Sequence, residues 1–166
     1  LFACADSSSA TLNLTSDSPD LSLSIGQPDG WEGSLFQVAA EDILIVASLA
    51  SPLGSLTREQ ARTIFAGQGD PSVQVWAFAS GEETQKVFES AVMDGRSVTS
   101  FARLAVSPSH MIESLTADPN AVGILPRRWM TDQLREIFAA ATVPVLALTP
   151  SEPEGVVRDL IACMQK

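Results

Sequence analysis

Along this chain apolar and polar residues first alternate singly, in DLSLSIG (20–26), then run unbroken in ILIVA (43–47), and from residue 57 recur every three to four positions. Alternation predicts a strand with one buried face, an unbroken apolar run predicts a strand covered on both faces, and the wider spacing predicts amphipathic helices. SLFQVAAEDILIVAS (34–48) therefore holds one or two strands, set off by the Pro and Gly punctuation of QPDGWEG and SPLGS. In SLTREQARTIFAGQGD (55–70) Thr57 is placed to cap a helix with Gln60 three residues on. Ala61, Ile64 and Phe65 form its apolar stripe, and Gly67 stops it.

VQVWAFA (73–79) reads as a strand, with Trp76 facing its interior, and TQKVFESAVM (84–93) as a helix with Val87, Phe88, Ala91 and Val92 on one face. SPSHMIESLTADPN (107–120) gives a third helix, capped by Ser107 or Ser109 and stopped before Pro119. AVGILP (121–126) is a strand, VPVLALT (143–149) follows TDQLREIFAAA as another, and EPEGVVRDLIACMQK closes the chain as a helix. At the start LFACA fits a short strand and DSSSATLNLTSDSP a turn into a weak helix, because Ser, Thr and Asn side chains compete with helical hydrogen bonds. Strands alternating with helices make an α/β chain with largely parallel sheets.

Composition narrows the setting. At 166 residues the chain is one domain or two small lobes, with 45% hydrophobic residues to build a core. No apolar run reaches the roughly 20 residues that span a bilayer. A formal net charge of −10 disfavours nucleic acid and anionic membranes, which reward clustered Lys and Arg; Arg127-Arg128 is the only adjacent basic pair. Cys4 and Cys163 lie near opposite ends and allow three readings: a mutual disulfide, a lipid anchor on Cys4 suggested by LFAC, or a buried strand thiol. Starting at Leu1 rather than Met, the sequence reads as a processed or excised piece.

Catalytic signatures are missing. There is no G-x-S-x-G elbow, no H-E-x-x-H and no G-x-x-x-x-G-K-S/T loop, and two Cys with one His are too few for a zinc site, so neither an enzyme nor a metal or cofactor site is expected. His110, the single histidine, fits a surface or capping role. Trp31 and Trp129 fit partial core or a stacking platform in a cleft. The stretch ASGEET (79–84) leads into a helix whose first amides and positive dipole end suit an anion, yet Glu82 and Glu83 occupy the approach. They are read either as first-turn residues complementing the dipole or as a functional acidic loop.

The run SLTREQARTIFAGQ, then VQVWAFASGEETQKVFESAV, then DPNAVGILP and the helix EPEGVVRDLIACM, resembles the phosphate-binding-protein branch of the type II periplasmic binding proteins. Those proteins carry a helix L-T-x-x-Q-x-x-x-I-F-x-G, an anion loop S-G-T opening a second helix, and a return strand P-x-A-I-G-Y. The resemblance extends to GSLFQVAAEDILIVAS as a strand crossing between lobes, to SPDLSLSIG, and to DSSSATLNL where the family has a Ser- and Gly-rich ligand turn. It implies an α/β fold of two lobes with mainly parallel sheets, the first from residues 1–48 and 126–166, the second from 49–125. The family's first strand and helix have no counterpart here, so the first lobe is expected to be incomplete, with an exposed edge covered by a homodimer or another partner.

The same resemblance implies a ligand set of Ser7, Ser8, Ser9 and Ser24 from the first lobe and Ser80, Gly81 and Thr84 from the second. Placing Thr84 on the threonine of S-G-T puts Glu82 on its serine and Glu83 on its glycine, with Ala77 or Phe78 where the family has an arginine. It implies an extracytoplasmic solute-binding protein of an ABC importer, in the periplasm or at the cell surface, lipid-anchored if Cys4 is acylated. Its degenerate loop turns it from phosphate toward an oxyanion-like or neutral polar solute. The alternative on the same fold is a sensor or protein-interaction domain outside transport.

Overall fold

The computed structural model describes residues 20–165, so the strand and weak helix expected before residue 20 lie outside the described residues, as do Cys4, Ser7, Ser8 and Ser9. Two compact units divide the described chain: residues 20–41 with 143–165, and residues 42–142. The divide falls inside two long strands, β2 (Ser34–Ser48) and β6 (Leu134–Thr149), rather than at 48/49 and 125/126.

In the first unit β1 (Ser22–Ile25) pairs antiparallel with the end of β6, Ser22 opposite Leu148 and Ile25 opposite Val145. Gly26 then turns the chain at φ +78°, a left-handed conformation that favours glycine, and donates its N–H to Pro144 O at 2.8 Å. Gly33 is equally constrained, by space: a Cβ there would lie 2.1 Å from the Thr149 carbonyl oxygen. The closing helix, α4 (Gly155–Met164; the element numbers α1–α3 fall in the second unit), buries Ile161, and just past its end Gln165 Nε2 donates to Gln37 O at 3.0 Å. Cys163 on this helix is an exposed free thiol. Among the described residues β1 ends the strand order, and Leu23 on it is 49% exposed.

The second unit contains α1 (Arg58–Phe65), β3 (Gln74–Ala77), α2 (Glu83–Met93), β4 (Arg103–Leu104), α3 (Pro108–Ala117) and β5 (Ala121–Pro126), with one 3-10 turn over Arg127–Trp129. Its hydrogen-bonded strand order is β6-β2-β5-β3-β4. The parallel part is β5-β3-β4, while β2 runs antiparallel to β5 from Ile43–Pro126 to Ala47–Val122. The apolar run Ile43–Ala47 is fully buried, as its continuity predicts, and so are Ala121, Val122, Ile124 and Leu125 opposite it. Helix α3 packs on β5 so closely that a Cβ on Gly123 would lie 2.5 Å from Met111 Sδ.

Local rules account for the helix ends. Thr57 Oγ1 accepts the Gln60 N–H at 3.2 Å while Gln60 Oε1 accepts the Thr57 N–H at 2.8 Å, which satisfies two leading amides of α1 reciprocally. Gly67 ends α1 at φ +74°. Ser107, not Ser109, caps α3, with Pro108 in the first turn where its missing N–H costs nothing. Phe65 and Phe88, both fully buried, join α1 to α2 with ring centroids 4.6 Å apart. Trp76 is half-buried rather than interior: His110 meets it edge-on at 5.5 Å and the Arg103 guanidinium lies 5.8 Å from its ring centroid.

A charged brace ties the two long strands within this unit. Asp42 on β2 accepts from Thr142 Oγ1 at 2.6 Å and from Arg127 Nε at 2.8 Å, and Arg127 also donates to Glu136 at 2.9 Å. The Thr142 hydroxyl first, and then the Arg127 guanidinium, hold the Asp42 carboxyl below its usual range. A carboxyl depressed by folding adds stability that is complete above its unfolded pKa, about 3.9, and is lost as pH falls through the lower folded value. The Asp42→Asn variant should therefore lose less Tm than the parent as pH drops below about 4. Melting curves across that range check this, and parallel acid-side slopes would show that Asp42 contributes nothing there.

Candidate functional site

The segment from β3 into α2 carries the second-unit candidates. β3 ends at Ala77, and the chain passes through Phe78, Ala79, Ser80 and Gly81 before α2 starts at Glu83. A turn forms where the Glu82 N–H donates to Ala79 O at 2.9 Å, and the helical ladder begins with Lys86 N–H to Glu82 O at 3.0 Å. Glu82 is the N-cap residue, with extended φ −70° and ψ 138°, and its side chain makes no capping hydrogen bond. The amides of the first turn thus receive nothing from the residue placed to cap them, in contrast to α1 and α3.

Ser80 and Gly81 are exposed and Thr84 is half-buried, so the structure brings these three together at the mouth of the helix. Gly81 has no left-handed backbone, and nothing lies within 4 Å of a Cβ built on it, so neither the turn nor packing requires glycine there. Glu82 and Glu83 are half-buried at the same helix end. The positions aligned with the family's arginine are apolar and interior: Ala77 is 0% and Phe78 6% exposed.

What fixes this loop is a residue that sequence reading passed over. Gln85, 1% exposed, accepts the Phe78 N–H on Oε1 at 3.1 Å and donates through Nε2 to Glu89 Oε1 at 2.9 Å. Glu89 Oε1 in turn accepts the Val98 N–H at 3.3 Å. The relay ties the start of the loop to the third position of α2. A Gln and a Glu four apart on a helix was the available signal, but only the fold shows that both point inward. Replacing Gln85 by leucine strands the buried Phe78 N–H, and should cost about 1–3 kcal/mol. Urea unfolding reads this as a lower midpoint at unchanged slope; an unchanged midpoint would mean that water replaces the amide.

Ser24, the described first-unit candidate, is buried, and its hydroxyl donates to Gly26 O at 3.1 Å, which supports the turn after β1. Trp31 in that unit is half-buried, with its Nε1 atom buried and unpartnered among the described residues, while Trp129 in the second unit is 39% exposed. A hollow of about 580 Å³ lies along α1, lined by Leu53, Leu56, Thr57, Gln60, Thr63 and Ile64 and by none of the candidate ligand residues. Among the described residues no group of three or more His, Cys, Asp or Glu could hold a metal ion, and no helix is long and apolar enough to cross a membrane.

The comparisons with known proteins bear on the fold. An ABC-type phosphate transport receptor from Vibrio cholerae superposes with a TM-score of 0.67 at 20% identity, over 89% of this chain and 74% of that one. A phosphate-bound protein from Clostridium perfringens, assigned to the substrate-binding component of a phosphate ABC transporter, gives 0.76 at 15% identity, over 87% and 72%. The chain has the type II periplasmic-binding fold. A regulatory domain on this fold, that of Synechocystis PCC6803 CcmR in complex with 2-PG, gives 0.65 at 9% identity, over 88% of this chain and 72% of that one. No protein-family model matches the sequence, and no curated protein sequence does. The type II periplasmic-binding fold thus accommodates both transport receptors and regulatory domains among the similar structures.

Proposed function

We propose that this chain is a solute-recognition domain that takes its ligand at the Ser80–Thr84 loop and does no chemistry on it. The observation that carries the reading is the start of α2, where the N-cap Glu82 side chain makes no capping bond, presented by exposed Ser80 and Gly81 and held in place by the buried Gln85. Similar folds in the phosphate transport receptor and in the 2-PG-bound regulatory domain support ligand capture as the general role. The ligand chemistry departs from theirs. Two unit charges 4 Å apart at an effective dielectric near 20 interact by about 4 kcal/mol, and Glu82 and Glu83 set that repulsion against any bound oxyanion. With no arginine at Ala77 or Phe78, the bidentate donor that would offset it is missing. The ligand is therefore a small neutral polar solute rather than phosphate.

The extracytoplasmic receptor of an ABC importer is the first setting we propose, with a membrane permease as partner. The second, a sensor domain outside transport, is favoured by the likeness to the CcmR regulatory domain. A homodimer fits either setting, and sedimentation velocity in dilute solution tests it. Thermal shift against a panel of sugars, amino acids, polyols and oxyanions tests ligand capture itself. A ligand at a hundred times its Kd adds about 2.7 kcal/mol to stability. Stabilisation by a neutral polar solute that Thr84→Ala removes is expected, and silence across the whole panel would overturn the reading.

A further inference from the structure

Among the described residues strand β4 closes one end of the second unit's strand order, and large apolar side chains are exposed beside it. Phe101, Leu104 and Val106 are 86%, 58% and 87% exposed within six residues. From Gly95 to Ile112 the only formal charges are Arg96 and Arg103, both positive, on a chain of net charge −10. Isolated exposed apolar residues need no explanation, but three together beside an open strand edge mark an interaction surface.

The backbone shows how the edge is used. Ala105 N–H donates inward to Ala77 O at 2.9 Å, so by the alternation of a strand the N–H and C=O of Leu104 point outward. In the bend that follows β4, the Val106 N–H is taken by His110 Nδ1 at 3.3 Å. Side chains alternate as well. Within β4 Leu104 falls on one side of the pleat and Arg103 on the other, over the Trp76 ring. A strand laid along β4 would therefore meet an apolar face on one side and a guanidinium on the other.

We propose that β4 is a docking edge for an extended segment of a partner protein in which apolar and acidic residues alternate. The main chain of that segment pairs with Leu104, its apolar side chains cover Leu104 and Val106, and its carboxylates face Arg103. The inference is independent of the ligand loop, since none of its residues belongs to the Ser80–Thr84 segment.

The probe is a labelled peptide of alternating valine and glutamate with polar ends, compared by fluorescence polarisation with its valine–lysine counterpart. The acidic peptide should bind at least about tenfold tighter, a difference of about 1.4 kcal/mol, and weaken with added salt. Arg103→Glu should reverse the preference between the two peptides, and Leu104→Asp should abolish binding of both. Both side chains are exposed, so neither change opens the core. Hydrogen exchange at the Leu104 amide should slow when the acidic peptide is bound. Equal binding of the two peptides, no binding of either, or failure of Arg103→Glu to reverse the preference would each overturn the proposal. So would self-association of the chain through this patch that excludes the peptide.

Discussion

Truncating Phe88 to alanine should destabilise the second unit by about 3–5 kcal/mol, the usual cost of removing a fully buried aromatic ring from a core that relaxes only in part. The ring is 0% exposed and meets Phe65, also 0% exposed, at a centroid distance of 4.6 Å and an interplanar angle of 54°. The loss is therefore both apolar burial and a tilted aromatic contact worth about 0.5–1.5 kcal/mol beyond its area. Phe65→Ala should cost about as much, and the double variant less than the sum, because each single change already removes the shared contact. Urea unfolding of the four proteins gives the cycle. Strict additivity would show that the two rings stabilise their helices separately.

This pair also shows what kind of information the sequence holds. Phe65 and Phe88 each end or centre an apolar stripe at helical spacing, so both were legible as core positions, and the helices α1 and α2 follow from local signals of cap, stripe and stop. The long strand β6 was legible only in its second half. In LREIFAAA the apolar residues Leu134, Ile137, Phe138 and Ala141 fall three and four apart, a helical spacing, yet the segment is strand beside β2. Its conformation is set by a ladder partner nearly a hundred positions earlier in sequence, and no window along the chain contains that partner. The same distance hides the Asp42–Arg127–Glu136–Thr142 brace.

The candidate site divides in the same way. Ser80, Gly81 and Thr84 were readable because a polar loop between a strand and a helix is a local pattern. Gln85 was not, because its value lies in pointing inward to Phe78, which depends on how α2 packs. Ser24 entered the candidate set through the family resemblance alone, while the bond from its hydroxyl to Gly26 O is a matter of three-dimensional turn geometry. Phe78, aligned with the family's arginine, is a buried core residue, and that changes which experiment is informative.

Exchanging Glu82 for serine and Glu83 for glycine should create salt-sensitive phosphate binding in a chain that is itself expected to bind none at millimolar phosphate. Glu82 at the N-cap and Glu83 in the first turn of α2 sit where the dipole and the leading amides would otherwise attract an anion. Removing repulsion of about 4 kcal/mol per charge pair at 4 Å corresponds to almost three powers of ten in affinity, even before new contacts form. Serine at the N-cap also supplies the side-chain oxygen that Glu82 does not use, and glycine at 83 lets a guest approach the backbone. An added arginine at Phe78 would be the wrong repair, since at 6% exposure it would bury an unpaired guanidinium and unfold the loop it was meant to equip. Ala79 is exposed and adjacent, so Ala79→Arg is the third change to add, with its gain read against the double variant. Isothermal calorimetry at two salt concentrations decides the matter. Tight phosphate binding by the unaltered chain would refute the electrostatic account of this loop. Absence of any gain in the double and triple variants would place the missing affinity outside the Ser80–Thr84 segment, and the sensor or interaction-domain reading would then be the better one.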